Sequence, residues 1–236
     1  MTNPGLESEQ LRTTLAAELD GAGYGVIPAV LSKAQCDNLV SLYASGSGNF
    51  RKRIDMARYN FGRGEYQYFA YPLPELVQAL RETFYTLLAP IANNWQERLG
   101  VESRWPLSLQ EFLEQCHANG QLRPTPLLLK YGAGDYNCLH QDLYGETCFP
   151  MQVIIQLSQP GSDFEGGELM LVEQRPRMQS RGMVVHFKQG DAAVIPVRER
   201  PRKGSRGYHR VSMRHGVSQL SSGQRFTLGL IFHDAK

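Results

Sequence analysis

The chain has 236 residues, 42% of them hydrophobic, and a formal net charge of +2 at pH 7. Such a length can bury a sizeable core, so we expect a single domain over 1–236, and the low net charge does not by itself require a nucleic-acid partner. The first residues, MTNPGLESEQ, lack the pattern of a secretory signal, and no apolar run approaches the roughly 20 residues of a membrane span, which predicts a cytoplasmic protein without a membrane partner.

The first part of the chain, about 1–123, is predicted to be mostly helical. Apolar residues recur there at helical spacing, and Ser32 has the character of an N-cap. Pro90 is expected to kink or split the longest helix. The predicted elements are a strand at Tyr24–Val30 and helices at about Glu9–Leu19, Lys33–Tyr43, Leu73–Leu99 and Leu107–Ala118.

Basic and aromatic residues interleave between Arg51 and Tyr71. One interpretation is a lid or surface that stacks flat substrates and neutralises anionic ones. The other is an edge hairpin with one apolar and one solvated side, since alternation along strands gives the same pattern.

After Pro124 the chain becomes a series of short β-prone runs separated by turn residues. Successive strands without intervening helices are typical of antiparallel sheets rather than of parallel βαβ units. We therefore predict an α+β fold with an antiparallel sandwich or double-stranded β-helix (jelly-roll) core at about 124–236 and helices packed outside it. The runs are Leu127–Tyr131, Gln152–Leu157, Glu168–Val172, Val184–Phe187, Ala192–Val197, Val211–Val217 and Phe226–Phe232.

His140 and Asp142 stand two positions apart, and side chains at i and i+2 of an extended chain point to the same side. One metal ion can therefore bind both. With a second histidine from a distant strand they would form the two-His-one-carboxylate triad of non-haem iron oxygenases, which leaves positions open for O2 and a chelating co-substrate. A His-x-Asp pair alone is also compatible with a solvated turn.

The distant ligand is predicted to be His215, because Arg225 follows it by ten residues and opens a β-prone run. A guanidinium binds a carboxylate bidentately, so Arg225 can hold the far carboxylate of a 2-oxo acid, with the Thr227 hydroxyl on the same face. The alternative for Arg225 is a surface strand arginine. His209 is the alternative third ligand, but its spacing to Arg225 is less suitable.

The remaining histidines, His117, His186 and His233, are interpreted as hydrogen-bonded or solvent-facing imidazoles. A zinc site is the alternative for the predicted metal cluster. Two histidines and one aspartate near a carboxylate-binding arginine suit Fe(II) better.

Four ordered motifs resemble the 2-oxoglutarate/Fe(II)-dependent dioxygenase superfamily: KYGAGDYNCLHQD, FEGGELML, KQGDAAVIPV and HGVSQLSSGQRFTL. The resemblance implies Fe(II) held by His140, Asp142 and His215, and 2-oxoglutarate and O2 as co-substrates. It also implies that Tyr131, nine positions before the first histidine, contacts the 2-oxoglutarate.

The chain from about Gly23 onward is also similar to bacterial oxygenases labelled as acting on damaged nucleic acid. It departs from the AlkB-type repair oxygenases, which have a second arginine six residues after the first, because position 231 is Ile. The resemblance implies hydroxylation or oxidative demethylation of a primary substrate. Three roles stay open: oxidation of alkylated nucleic-acid bases, hydroxylation of a protein side chain or small metabolite, and a non-catalytic jelly-roll binding module.

Overall fold

The computed structural model describes residues 6, 8–45 and 49–236, which form four helices and fourteen strands. The helices are α1 (Glu9–Gly21), α2 (Lys33–Ser45), α3 (Glu75–Arg98) and α4 (Leu109–Ala118). The strands are β1 (Gly25–Ile27), β2 (Phe50–Asp55), β3 (Gly62–Arg63), β4 (Glu65–Phe69), β5 (Leu127–Gly132), β6 (Tyr136–His140), β7 (Met151–Gln156), β8 (Phe164–Gly166), β9 (Leu169–Gln174), β10 (Arg181–Val185), β11 (Ala192–Pro196), β12 (Glu199–Gly204), β13 (Gly207–Val217) and β14 (Leu220–Leu230).

All four predicted helices are present. Helix α2 follows Ser32, whose hydroxyl accepts a hydrogen bond from the backbone amide of Gln35. The expectation that Pro90 splits the third helix is wrong, because α3 continues through it. An interior proline costs roughly 3 kcal/mol. Most of the residues around Pro90 are buried in the core, including Leu88 and Ile91, and this packing outweighs the lost hydrogen bond.

The strands form two sheets in which every pairing between named strands is antiparallel, as predicted. The larger sheet has the order β1-β11-β7-β14-β5-β4-β2, with β8 also paired to β14. The smaller sheet has the order β10-β9-β13-β6-β3, with β12 also paired to β13. The chain therefore crosses several times between two antiparallel sheets rather than forming a parallel one.

The larger sheet is buried on both faces. One face carries residues such as Ile155 and Leu228, which join the helices in the main hydrophobic core. The other face carries Ala193 and Ile195, which pack against Leu171 and other residues of the smaller sheet. Side chains alternate between the faces along each strand, so every second residue of the central strands points into the space between the sheets.

The division into a part at about 1–123 and a core at about 124–236 stays a prediction. Within the earlier part the described residues form four helices and also β1 to β4, which pair with later strands in both sheets. Residues 1–5, 7 and 46–48 of that part lie outside the described residues. No described helix is long and apolar enough to cross a membrane.

A buried ion pair ties the end of the chain to α3. Arg81 and Asp234 are both fully buried, and an Nη atom of Arg81 lies 2.8 Å from a carboxylate oxygen of Asp234. Arg81 also donates to the carbonyls of Ile231 and Phe232, while Asp234 accepts from Tyr71. These contacts hold the chain immediately after β14, the central strand of the larger sheet.

We predict that Asp234→Ala lowers the free energy of unfolding by about 3–5 kcal/mol, because it leaves the Arg81 guanidinium buried without its carboxylate. Asp37→Ala is the matched control, since it removes only the exposed pair with Lys33 and should cost under about 1 kcal/mol. Urea unfolding followed by circular dichroism measures both. Equal losses in the two variants would show that the buried pair does not stabilise the fold.

Candidate active site

A cavity of about 370 Å³ lies between the two sheets, and its lining combines polar groups with apolar walls. All six residues singled out from the sequence for metal or co-substrate binding line this one cavity. They are Tyr131, His140, Asp142, His215, Arg225 and Thr227.

The register between β6 and β13 brings the two histidines together. His140 ends β6 and lies directly opposite His215 of β13, and the ring centroids are 4.2 Å apart. Asp142 follows two residues after the end of β6, with carboxylate oxygens 3.5 Å from Nε2 of His140 and 3.2 Å from Nε2 of His215. Potential ligand atoms of the three residues all lie within 4.8 Å of one another.

Nearby groups orient the ligand atoms of this cluster. Nδ1 of His140 lies 2.8 Å from the Cys138 carbonyl, which can only accept a hydrogen bond, so Nδ1 donates to it and Nε2 is the nitrogen directed towards Asp142. The Tyr144 hydroxyl donates to Asp142 at 2.7 Å. The Gln152 amide nitrogen lies 3.3 Å from Nε2 of His215.

The electrostatics favour a charged carboxylate in a buried setting. Burial opposes the charge on Asp142, but hydrogen bonds and attraction from His140 and His215 outweigh it and hold the pKa of Asp142 well below its usual range. Burial lowers the pKa of His215, so this imidazole is neutral near pH 7. A buried carboxylate beside imidazole lone pairs is a donor set that suits a divalent transition metal such as Fe(II).

Arg225 is the second charged group of the cavity and is only 2% exposed. It faces Tyr131 across β14 and β5, with its guanidinium carbon 5.7 Å from that ring and 5.9 Å from the ring of Phe164. Burial lowers the pKa of Arg225 to about 10, so it stays charged at pH 7. No described carboxylate forms an ion pair with Arg225. The N–H groups of its guanidinium are therefore available to hydrogen-bond an anionic ligand.

Thr227 and Tyr131 lie on the same face of the sheet as Arg225. Thr227 is two residues further along β14 and 1% exposed. The Tyr131 hydroxyl accepts a hydrogen bond from the Asn137 side chain at 3.3 Å. The side chains of Arg225, Thr227 and Tyr131 can all hydrogen-bond a carboxylate. They line the same cavity as the His-Asp-His cluster.

The other histidines lie outside the cluster. His209 is exposed on β13, opposite Arg202 of β12, so the chain places His215 and not His209 beside Asp142. His117 contacts Asp234 at 3.0 Å, and His186 is exposed. His233 is fully buried near Tyr144, and burial lowers its pKa to about 4.

Sequence reasoning missed Tyr144 and Gln152. Tyr144 has a weak signal, since it follows Asp142 by two residues and the same i, i+2 argument would place it nearby. Gln152 comes from β7 in the other sheet, and only the packing of the two sheets brings it to His215. No local pattern in the sequence indicates that contact.

The segment from Arg51 to Tyr71 contains the predicted edge hairpin, whereas its role as a lid or stacking surface stays a prediction. Its strands β2 and β4 form the edge of the larger sheet, as expected for a hairpin. Between them, Asn60 and Phe61 line the cavity, and the ring of Phe61 stacks on that of Tyr59 with centroids 5.5 Å apart. Both rings are about half exposed, at 50% for Tyr59 and 47% for Phe61, so aromatic surface stands at the cavity mouth.

Several known proteins are similar to this chain in sequence or in fold. Residues 64–235 match a family described as "Oxygenase, catalysing oxidative methylation of damaged DNA". An uncharacterised protein of Mycobacterium tuberculosis (strain H37Rv) is 52% identical over 167 residues, which cover 71% of this chain and 72% of that protein.

Two solved structures illustrate the similarity of fold. A prolyl-4-hydroxylase of Pseudomonas putida has a TM-score of 0.52 at 13% identity, covering 95% of this chain and 99% of that one. A prolyl hydroxylase of Trichoplax adhaerens, in complex with a hypoxia-inducible-factor peptide, has a TM-score of 0.56 at 16% identity, covering 96% and 90%.

The family match, the fold and the His-Asp-His cluster together support the class of enzyme predicted from the sequence, a 2-oxoglutarate-dependent non-haem Fe(II) dioxygenase that uses Fe(II), 2-oxoglutarate and O2. Within that class the chain belongs to the Oxygenase-NA family, since the match covers well over half of its length.

We predict that His140→Ala, Asp142→Ala and His215→Ala each abolish Fe(II) binding but keep the far-ultraviolet circular dichroism spectrum, because each removes one ligand from a preformed sheet. His209→Ala is the matched control and should bind Fe(II) like the wild type. Anaerobic titration followed by metal analysis measures all four. Retained iron in His215→Ala together with lost iron in His209→Ala would disprove the choice of distant ligand.

Proposed function

We propose that His140, Asp142 and His215 hold Fe(II) and that Arg225, with Thr227 and Tyr131, holds the far carboxylate of 2-oxoglutarate. The observation that carries this proposal is one cavity lined both by a largely buried His-Asp-His cluster and by a buried arginine that has no counter-ion among the described residues. When bound, Fe(II) supplies oxidative chemistry in which 2-oxoglutarate and O2 become succinate and CO2 while one oxygen atom enters a C–H bond of the substrate.

The protein's own groups position these reactants and exclude water. Tyr144 orients the Asp142 carboxylate, and the Cys138 carbonyl fixes the proton of His140 on Nδ1. Apolar side chains such as Leu129 and Ile154 form walls of the cavity. A dry, shaped site strengthens the electrostatic contacts within it and protects reactive species from side reactions.

For the substrate we propose an alkylated nucleic-acid base. Insertion of oxygen into an N-methyl C–H bond gives a hydroxymethyl group that leaves as formaldehyde, so this chemistry removes a methyl group and restores the base. The proposal is supported by the description of the matching family, which names damaged DNA. The stacked pair Tyr59 and Phe61 at the cavity mouth supports it further, because exposed aromatic rings stack single-stranded or flipped bases.

The second candidate is hydroxylation of a protein side chain or small metabolite. It is favoured by Ile231, which lines the cavity where AlkB-type enzymes have a second arginine. The prolyl hydroxylases share the fold. A non-catalytic binding module is disfavoured, because such a module would not need both a buried metal-binding cluster and an unpaired buried arginine.

We also propose that the two sheets form the jelly-roll core of a single domain spanning 1–236, with helices packed outside it. The packing of both sheets around one cavity supports this arrangement. A cytoplasmic location fits the four cysteines, which form no disulfides and so suit a reducing compartment: Cys36, Cys116, Cys138 and Cys148.

We predict that Arg225→Ala weakens 2-oxoglutarate binding at least tenfold while Fe(II) binding stays intact, because a charge-assisted bidentate contact is worth roughly 1.5–3 kcal/mol. Arg225→Lys should restore part of the affinity. The charge-transfer absorption of the anaerobic iron and 2-oxoglutarate complex measures the binding. Unchanged affinity in the alanine variant would remove Arg225 from the co-substrate site.

The substrate proposal is tested by succinate release on admitting O2 to the enzyme with Fe(II) and labelled 2-oxoglutarate. Methylated single-stranded oligonucleotides should stimulate release and yield formaldehyde in equal amount, whereas unmethylated oligonucleotides of the same sequence should not. Stimulation only by peptides or amino acids, without formaldehyde, would replace the nucleic-acid proposal with the hydroxylase alternative.

A further inference from the structure

Positive charge is concentrated in one part of the chain, from Glu173 to Arg214. This segment has eleven of the 25 lysines and arginines but three of the 23 acidic residues, a net charge of +8 against +2 for the whole chain. It contains β10 and the β12–β13 hairpin of the smaller sheet, together with β11 of the larger sheet. The low net charge of the whole chain is therefore compatible with a strongly basic surface on this segment.

The acidic side chains of the segment are already engaged. Glu173 is buried and pairs with Arg175, Arg200 and Arg202, and Glu199 pairs with Arg210. Asp191 accepts hydrogen bonds from backbone amides. No local carboxylate is left to neutralise the other cations.

Seven exposed cations of the segment form no ion pair with any described carboxylate. The unpaired cations are Arg177, Arg181, Lys188, Arg198, Lys203, Arg206 and Arg214. Such a group of free charges is the electrostatic signature of a surface that meets phosphates.

Strand β13 connects this surface to the active site. His215 lines the cavity, and because side chains alternate along a strand, the exposed side chain of Arg214 lies on the opposite, outer face of the smaller sheet. Gln141, between the two ligands His140 and Asp142, donates from its side chain to the carbonyls of Arg198 and Met213. Unpaired cations therefore lie on the outer face of the sheet whose inner face carries His215, at Arg214, and at the tip of the β12–β13 hairpin, at Lys203 and Arg206.

We infer that the β12–β13 hairpin, with Arg198 and Arg214, is the surface that binds the sugar-phosphate backbone of a nucleic-acid substrate whose base occupies the cavity. This inference rests on the proposed nucleic-acid function and deepens it, because it locates the backbone contacts on the smaller sheet rather than on the Arg51–Tyr71 segment. There, Arg53 and Arg58 are paired with Glu65 and Asp55, which leaves two exposed cations without an ion pair, Lys52 and Arg63.

The length of β13 predicts the footprint, that is, the number of nucleotides of the bound strand that lie along the protein. Gly207 and His215 are eight residues apart on one strand, which corresponds to about 27 Å. A nucleic-acid strand in duplex geometry passes about eight phosphates over that distance. Contacts at the hairpin tip should therefore lie several nucleotides to one side of the modified base.

The test compares oligonucleotide binding by three double variants with that of the wild type across a range of salt concentrations. Lys203→Ala with Arg206→Ala removes two unpaired cations at the hairpin tip and should reduce the slope of log K against log salt by about 1.4. Lys33→Ala with Arg104→Ala removes the same charge elsewhere and should leave the slope unchanged. Arg58→Ala with Arg63→Ala measures the contribution of the other basic segment.

The outcomes separate this inference from the function on which it rests. No binding of any oligonucleotide by the wild type at low salt would overturn the proposed substrate class. If the wild type binds but the Lys203→Ala, Arg206→Ala variant has the same slope of log K against log salt, only the assignment of the binding surface would be overturned. Equal affinity for polyglutamate of matched charge would overturn nucleic acid as the partner. Succinate release without primary substrate should be the same in all variants.

A second measurement tests the direction of the footprint. Two oligonucleotides of about twelve nucleotides, long enough for the eight-phosphate span, carry the methylated base at the 5′ or the 3′ end. The Lys203→Ala and Arg206→Ala substitutions should raise KM for one of these two oligonucleotides and leave KM for the other unchanged. Equal effects on both would contradict a strand that runs along β13.

Discussion

Strand β14 lies between β5 and β7 at the centre of the larger sheet, and its side chains alternate between two environments. Phe226, Leu228 and Leu230 join the core beneath the helices, whereas Arg225 and Thr227 point into the cavity. A shift of one residue in register would exchange the two sets. It would bury the arginine among aliphatic side chains and expose the core residues, so the hydrophobic pattern of β14 fixes the position of the charged group.

The site depends on two buried charges that the protein only partly compensates. Asp142 has imidazole and hydroxyl partners, while Arg225 has aromatic rings but no counter-ion among the described residues. Uncompensated buried charge costs stability. The extensive core on the helical side of the sheet and the buried Arg81 and Asp234 pair after β14 hold the strand that carries Arg225. A cation and a dicarboxylate bound in the cavity would neutralise both charges.

Much of this site is encoded locally and could be predicted from the sequence. His140 and Asp142 are two positions apart, and Arg225 and Thr227 share a face through the same period of two. The antiparallel class followed from the short runs separated by turns. Contacts that cross between distant strands, such as Gln152 with His215, could not be predicted, because they depend on how the two sheets pack. The continuity of α3 through Pro90 likewise depends on tertiary burial.

The charge distribution could not be predicted from the composition either, because the net charge of +2 is the sum over a basic segment and an acidic remainder. The segment comprises β10, β12 and β13 of the smaller sheet and β11 of the larger one, and its few carboxylates are engaged in ion pairs or in hydrogen bonds with backbone amides. Its free cations lie on β10, on the β12–β13 hairpin and in the adjoining loops. Whole-chain charge is a poor guide when charges are segregated, and the unpaired cations carry the information about a partner.

The central claim is that one cavity holds the metal at one end and the far carboxylate of 2-oxoglutarate at the other. A crystal structure of the anaerobic enzyme with Fe(II) and 2-oxoglutarate tests it most directly. We predict iron bound by His140, Asp142 and His215, and the far carboxylate within hydrogen-bonding distance of Arg225. Iron on another set of residues, or a carboxylate held away from Arg225, would contradict the claim.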